Sequence, residues 1–503
     1  MVSPKERLAR FSSIHAVSVS EAGYTLGMDA YDLLIIGGGI NGAAIARDAA
    51  IRGAKVLLVE KDDLAAHTSS ASSKLIHGGL RYLEYGEFRL VRESLQEREI
   101  LLRTAPHIVR PLRFVLPQAK RIHPQWMVRA GLYLYDLFSL RGSLPRSRRL
   151  GRRDAALLAP LKERRRALSY RDAWVDDSRL TILNAIDAAE EGAEIATRTA
   201  LVGARREGCV WRADLWDGRS VEAKAMVNAA GPWVSDILAR AGVAGRSASR
   251  LVKGSHLAVA ALWEGEQGYI LQQPDGRVVF ALPWLGRFTL IGTTDVPVER
   301  AEAPAITAEE TRYLCDAANR YFERQVTPAD VLSSYSGIRA LYDDGALDAK
   351  SVTRDWHLDL DENGPPILSV YGGKITTARA LARRAVDRLG IEGRRSTGSK
   401  ALPGGDLYPD FVEWLGQLST WMPADLVTRL SQAYGTRLAE LIGEATNLQQ
   451  LGRHFGGGLY EAELKWMRDR EFARTAEDAL FRRSKLGLLL SQQAQQAVER
   501  WFG

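Results

Sequence analysis

The chain has 503 residues, 46% apolar and 26% charged, with a formal net charge of +7. That length exceeds one hydrophobic core and predicts two or three domains, while the composition excludes wholesale disorder, collagen-like repeats and a polytopic membrane protein. Cys209 and Cys315 are too few for a disulfide framework, which excludes most secreted scaffolds, and the longest aliphatic run, Leu486 to Leu490 around one glycine, is far shorter than the roughly 20 residues that cross a bilayer.

Residues 1–27 lack a charged segment leading into an apolar stretch, so they do not read as a signal peptide. They predict a flexible extension, with Met28 as an alternative start. From Tyr31, YDLLIIGGG predicts a buried parallel strand entering glycines. INGAAIARDAAIR (40–52) has helical spacing, Gly53 stops it, and AKVLLVE (54–60) predicts a second buried strand. Gly37-x-Gly39-x-x-Gly42 thus sits at the first turn of a βαβ unit, with Glu60 closing the second strand. In that context the glycines are a dinucleotide fingerprint. Gly37 permits the tight turn, Gly39 lets a pyrophosphate approach backbone N–H groups, and Gly42 lets helix and strand pack closely. The helix N-terminus stabilises phosphate charge. Glu60 would accept ribose hydroxyls and repel a 2′-phosphate, which disfavours NADP. Gly38 and Asn41 complete the candidate turn.

Residues 64–88 form a polar, serine-rich stretch that predicts a site-lining loop. Ser70, Ser72 and Ser73 are candidate cofactor contacts there, and Lys74, His77, Arg81 and Tyr82 fall within nine residues. Leu90 to Ile108 predicts an amphipathic helix. Between Arg141 and Arg171 stand eleven Lys/Arg and two acidic residues, which carries the whole basic imbalance. This stretch reads as a solvated surface loop or a patch for anionic lipid head groups. Nucleic acid is the weaker reading, because no aromatic-interleaved or helix-turn-helix pattern accompanies the charge.

AMVNAAGPWV (225–234) predicts another buried strand, ending at Gly231 beside the nucleotide. LVKGSHLAVAAL (251–262) and RVVFALPWLGRFTLIGTTDV (277–296) predict an antiparallel sheet inserted between parts of the nucleotide domain. PILSVYGGKITTARALARRAVDRLG (366–390) repeats strand, glycine pair and helix, offering Gly373, Lys374 and Thr376 to a cofactor. ALPGGD (401–406) reads as a linker to a separate α-helical domain. Two histidines, His77 (IHGG) and His256 (KGSH), sit in loops beside predicted sheet edges and are the candidate bases, with His256 first. There is no HExxH, CxxC or EF-hand loop, so no metal is expected.

GGGINGAAIARDAA, TSSASSKLIHGGLRYLE, WVDDSRL, NAAGPWV, KGSH, IGTTDV, TRDW and GGKITT, together with GLYEAELKW (458–466), resemble the FAD-dependent, quinone-linked glycerol-3-phosphate dehydrogenases. The resemblance covers roughly residues 30–503. It implies an α/β fold: a Rossmann-like FAD-binding domain of the amino-acid-oxidase type (28–115, 170–240 and 340–395), an inserted β-rich substrate cap (241–339) and a C-terminal α-helical domain (401–503). It implies oxidation of sn-glycerol 3-phosphate to dihydroxyacetone phosphate with electrons passed to quinone, a homodimer, and a cytoplasmic protein bound peripherally to an anionic membrane surface. Arg339 and Arg354 are the implied phosphate ligands, with Arg81, Tyr82 and Lys374 lining the same pocket; Lys374 and Arg81 would also lower the alcohol's pKa. FAD is expected to be non-covalent, His67 being the one awkward candidate for attachment. Ala340 departs from the family's usual proline, and the calcium-binding extension of mitochondrial members is absent, which favours a bacterial source. The alternatives are an oxidase that uses O₂ at the same site and a non-catalytic FAD-binding scaffold.

Overall fold

In the computed structural model the residues described are 29–117, 125–139, 142–164, 167–343 and 355–503. The N-terminal extension, Arg354 and the pair Arg165 and Arg166 lie outside them. The first sheet runs Trp356–Asp361, Ile367–Gly372, Ser220–Asn228, Ala30–Ile36, Val56–Val59, Glu194–Ala196. Its central strands pair in parallel, Ile36 opposite both Asn228 and Val59. The antiparallel strands Leu201–Glu207 and Val210–Leu215 extend it from Ser220–Asn228. Buried on both faces, these strands carry near-continuous aliphatic runs such as LLII and VLLV. The alanine-rich helix Ile40–Ile51 packs between the helices Asp177–Glu190 and Ala378–Arg388, its small side chains letting three helices share one face.

The second sheet has ten strands, mostly antiparallel, with Ser249–Ala260 between Phe288–Gly292 and the long Val331–Tyr342. Here the expected boundaries shift. Val109–Pro117 and Ala167–Val175 belong to this sheet and not to the nucleotide half, and Val109–Pro117 lies parallel to Gly268–Gln272. The cap sheet is therefore assembled from strands along the chain from Leu75–Ile76 to Val331–Tyr342 and not from 241–339 alone. The helix expected over 90–108 spans Phe88–Thr104, stopped where Val109–Pro117 begins.

The C-terminal unit is helical apart from a small hairpin, His454–Gly456 with Leu459–Tyr460. Leu486 and Leu490 are buried in its core, which Trp466 and Trp501 also flank. The basic stretch is not one loop: Arg148–Arg149 form a strand beside Ala167–Val175, Arg148 is paired with Asp154, and Arg164 lies 3.4 Å from Glu323. An exposed apolar face lies on the helix Gln125–Phe138, where Trp126 and Tyr133 are 71% and 72% exposed; Trp216 and Val412 are exposed singly elsewhere. Among the described residues, no helix is long and apolar enough to cross a membrane.

Candidate active site

A cavity of about 760 Å³ is lined by residues of both sheets. One wall is backbone. Gly37 has φ +114°, and a Cβ there would come within 2.5 Å of the Ala229 carbonyl oxygen. Only glycine fits that turn. The Gly38 N–H donates to Glu60 Oε2 (2.6 Å) and the Asp62 N–H to Glu60 Oε1 (2.9 Å), so the carboxylate closing the second strand is fixed by two amides. Burial pushes its carboxyl pKa upward against those two donors. Asn41 donates from Nδ2 to the Gly372 carbonyl (3.3 Å), which ties the first helix to the second glycine pair. Its Oδ1 is buried without a protein partner. Gly37, Gly39, Asn41, Glu60, Gly231, Gly373, Lys374 and Thr376 all line the cavity, whereas Gly38 and Gly42 lie behind it.

The serine loop closes one side. Ser72 and Ser73 face the cavity, but Ser70 does not; it turns back to hydrogen-bond the His67 carbonyl (3.2 Å). Ser69, which lies in TSSASSK but is not among the candidate site residues, accepts from the Ile40 N–H (2.9 Å) and so completes the first turn of the phosphate-facing helix. The signal was available: a serine-rich run packed against an uncapped helix N-terminus. Thr68 Oγ1 donates to the Ile338 carbonyl (2.6 Å), fastening the loop to the cap. At the outer end the Trp233 ring stands 4.6 Å from the His67 ring, with Lys61 Nζ 3.6 Å from its centre.

The other wall is charged side chains. The Arg339 guanidinium donates to Asp295 Oδ1 (2.7 Å) and Thr293 Oγ1 (2.9 Å). A Cβ on Gly254 would come within 2.6 Å of Arg339 Nη2, which explains the glycine of KGSH as room for that guanidinium. Lys374 Nζ sits 3.7 Å over the Tyr82 ring, and Arg81 Nη2 donates to Tyr85 Oη (3.2 Å). His77 lines the cavity. Enclosure, and secondarily the Lys374 cation, lower its pKa to about 4, so the imidazole is neutral near pH 7. Its neighbour Gly78 donates N–H to Tyr135 Oη (2.8 Å), and Tyr135 in turn donates to the buried Asp172 (2.8 Å).

His256 is placed differently from the expectation. It is 1% exposed, stacks on Tyr335 with ring centres 4.9 Å apart, and is absent from the cavity wall. Its Nε2 is hydrogen-bonded to Ser73 Oγ (2.9 Å), so it reaches the cavity only through that hydroxyl. Burial, Arg339 and Lys74 hold its pKa well below the usual range.

The wall of glycine and small residues, the fixed Glu60 and the orphaned Asn41 Oδ1 fit a dinucleotide cofactor. Residues 32–388 match the family described as FAD dependent oxidoreductase, and residues 395–502 match the C-terminal domain of alpha-glycerophosphate oxidase. The chain belongs to the FAD-dependent glycerol-3-phosphate dehydrogenase family. It is an FAD-dependent oxidoreductase. A glycerol-3-phosphate dehydrogenase of Pseudomonas aeruginosa is 49% identical over 486 residues, 93% of this chain and 94% of that protein. A D-erythritol 1-phosphate dehydrogenase of Brucella abortus is also 49% identical, over 488 residues, 94% of this chain and 97% of that protein. The structure of the Bacillus halodurans glycerol-3-phosphate dehydrogenase complexed with FAD superposes with a TM-score of 0.74 at 28% identity, covering 95% of this chain and 90% of that one.

Proposed function

We propose that this enzyme oxidises sn-glycerol 3-phosphate to dihydroxyacetone phosphate and passes the electrons to a membrane quinone. The observation that carries the reading is one cavity wall holding Arg81, Arg339 and Lys374 beside a neutral His77. A dianionic phosphate needs fixed positive charge, and a guanidinium held by Asp295 and Thr293 presents it in a set orientation. FAD, bound along the Gly37 turn, supplies the hydride acceptor for carbon 2 of the substrate. His77 takes the hydroxyl proton. With a pKa of about 4 it is a weak base when the cavity lacks an anion. A bound phosphate dianion favours the charged imidazolium and moves that pKa up, so the base strengthens when substrate arrives. Lys374 stabilises the developing alkoxide. A second route is favoured by the 2.9 Å contact between Ser73 and His256, along which the proton would leave through the serine hydroxyl to the buried imidazole. His77→Asn against Ser73→Ala separates the two: the variant whose loss of turnover is largest marks the path.

The name of one relative favours a second substrate reading, a longer polyol phosphate such as D-erythritol 1-phosphate, gripped by the same cations. Anaerobic bleaching of the flavin's 450 nm band by each compound in turn tests both. Bleaching by neither would sink the reading. Quinone as acceptor is supported by the exposed aromatic face Trp126–Tyr133, which suits a lipid surface, with the basic edge near Arg148 as its electrostatic complement. On this reading the enzyme works on the cytoplasmic side of the membrane, as a homodimer. Stopped-flow reoxidation of the reduced flavin by a ubiquinone analogue and by O₂ distinguishes a dehydrogenase from an oxidase.

A further inference from the structure

The loop 63–74 wraps one side of the cavity and is anchored at both ends by buried charge. At its start, Asp63 is 2% exposed and receives two guanidinium groups of the C-terminal unit. Arg482 Nε donates to it at 2.6 Å and Arg483 Nη2 at 2.8 Å. Arg483 also donates from Nη2 to the Glu471 carbonyl (2.6 Å), and Arg482 from Nη2 to Asp478 (2.5 Å), so both arginines are themselves held in place. At the far end, Lys74 Nζ donates to both oxygens of Asp177 (2.9 Å) and to the Ser70 carbonyl (3.1 Å). Asp177 accepts as well from Ser72 Oγ (2.7 Å). Lys485 stands on the same acidic pair: it is ion-paired with Asp176, donates to Ser178 Oγ (2.8 Å) and lies 3.8 Å from Asp177. Between these anchors Ala65, His67, Ser69, Ser72 and Ser73 face the cavity.

We infer that the segment Arg482–Arg483–Ser484–Lys485 of the C-terminal unit sets the position of the FAD-facing loop, and that Arg483 and Lys485 are positioning residues for the cofactor. Neither touches the cavity. They act through Asp63 and the pair Asp176–Asp177. Without Arg483 the buried Asp63 carboxylate keeps only Arg482 and shifts toward it, and Asp63 can move only by dragging the loop with it: the Ala65 N–H donates to the Gly38 carbonyl (3.1 Å) and the Ala66 N–H to the Asp63 carbonyl (3.1 Å). The helical unit is thereby a part of the cofactor site. This holds whichever polyol phosphate is the substrate.

Coupling between two sites is reciprocal. In the wild-type protein, adding FAD to the apoprotein should slow amide exchange in peptides covering 471–486 about as clearly as in those covering Gly37–Gly42. Protection confined to the glycine turn, with 471–486 unchanged, would overturn the inference even if no variant could be made. Arg483→Ala should raise the FAD dissociation constant about tenfold, within the usual range of coupling between sites, and blur the fine structure of the flavin absorbance. Arg483→Lys, which restores the charge on Asp63, should recover part of that affinity. If both variants lower the melting temperature of the apoprotein equally and leave FAD affinity and spectrum at wild type, the segment is structural only.

Discussion

The two walls of the cavity are built on opposite principles. The FAD side is made by backbone, with Gly37, Gly39 and Gly231 lining the cavity without side chains, fixed by parallel strands that are buried on both faces. The opposite wall is made by long charged side chains, each oriented by a partner: Arg339 of the cap by Asp295 and Thr293, and Lys374, which follows a strand of the first sheet, by the Tyr82 ring. At Gly37 the backbone wall leaves no room for an added atom, whereas a side-chain wall tolerates exchange at a cost set by the hydrogen bonds and charge pairing that the new residue cannot make. The first recognises a cofactor shape. The second presents fixed positive charge.

The largest break in this contrast is Gly37→Val. A side chain there meets the Ala229 carbonyl at 2.5 Å in a backbone region closed to branched residues. The purified variant should carry no flavin, read as loss of the 450 nm band relative to 280 nm. Normal flavin content would mean that the turn relaxes and the wall is not rigid. On the charged side, Arg339→Ala should keep full flavin content and lose about 2–4 kcal/mol of transition-state binding, roughly 30-fold to 1000-fold in kcat/KM. Wild-type kcat/KM in that variant would remove Arg339 from the phosphate clamp.

Lys374 sharpens the contrast through pH. Its cation helps to hold the His77 pKa near 4. Burial is the larger cause and remains, but removing a like charge favours the protonated imidazole, so Lys374→Met should move that pKa up from about 4. The acid limb of kcat/KM should then appear at higher pH than in the wild type, where His77 stays deprotonated down to about pH 4. A limb that does not move would place the base elsewhere, with His256 and Ser73 next in line. The smallest expected effect concerns neither wall. Trp126→Ser with Tyr133→Ser should weaken binding to anionic vesicles several-fold while leaving turnover with a soluble dye unchanged. Electrostatic docking alone, screened over about 8 Å at physiological salt, would be abolished by salt and indifferent to these substitutions.

What was legible in the sequence follows the same division. The glycine turn, Glu60 and the flanking strands could be read because backbone rules are local: a strand, three glycines and a helix within one short stretch. The cap was harder. Val109–Pro117 and Ala167–Val175 are not among the strands read from the sequence, and periodicity would not say which sheet they join: the partner Gly268–Gln272 lies more than a hundred residues away. The same limit misplaced His256. KGSH marks a histidine at a sheet edge, yet only the pairing of Ser249–Ala260 with two neighbours turns that ring inward against Tyr335. Leu486 to Leu490, the longest aliphatic run of the sequence, is core, with Leu486 and Leu490 at its two ends both buried in the helical unit. Arg354 lies outside the described residues.

The tryptophan at the outer end of the cavity has a practical side. Of twelve tryptophans, Trp233 alone lines the cavity among the described residues, pressed between an imidazole and an ammonium group. Its emission should be the one most strongly damped by energy transfer to a flavin lying alongside. The protein therefore contains its own optical gauge of cofactor loading, and a Trp233→Phe variant would show how much of the emission change on adding FAD belongs to that single indole.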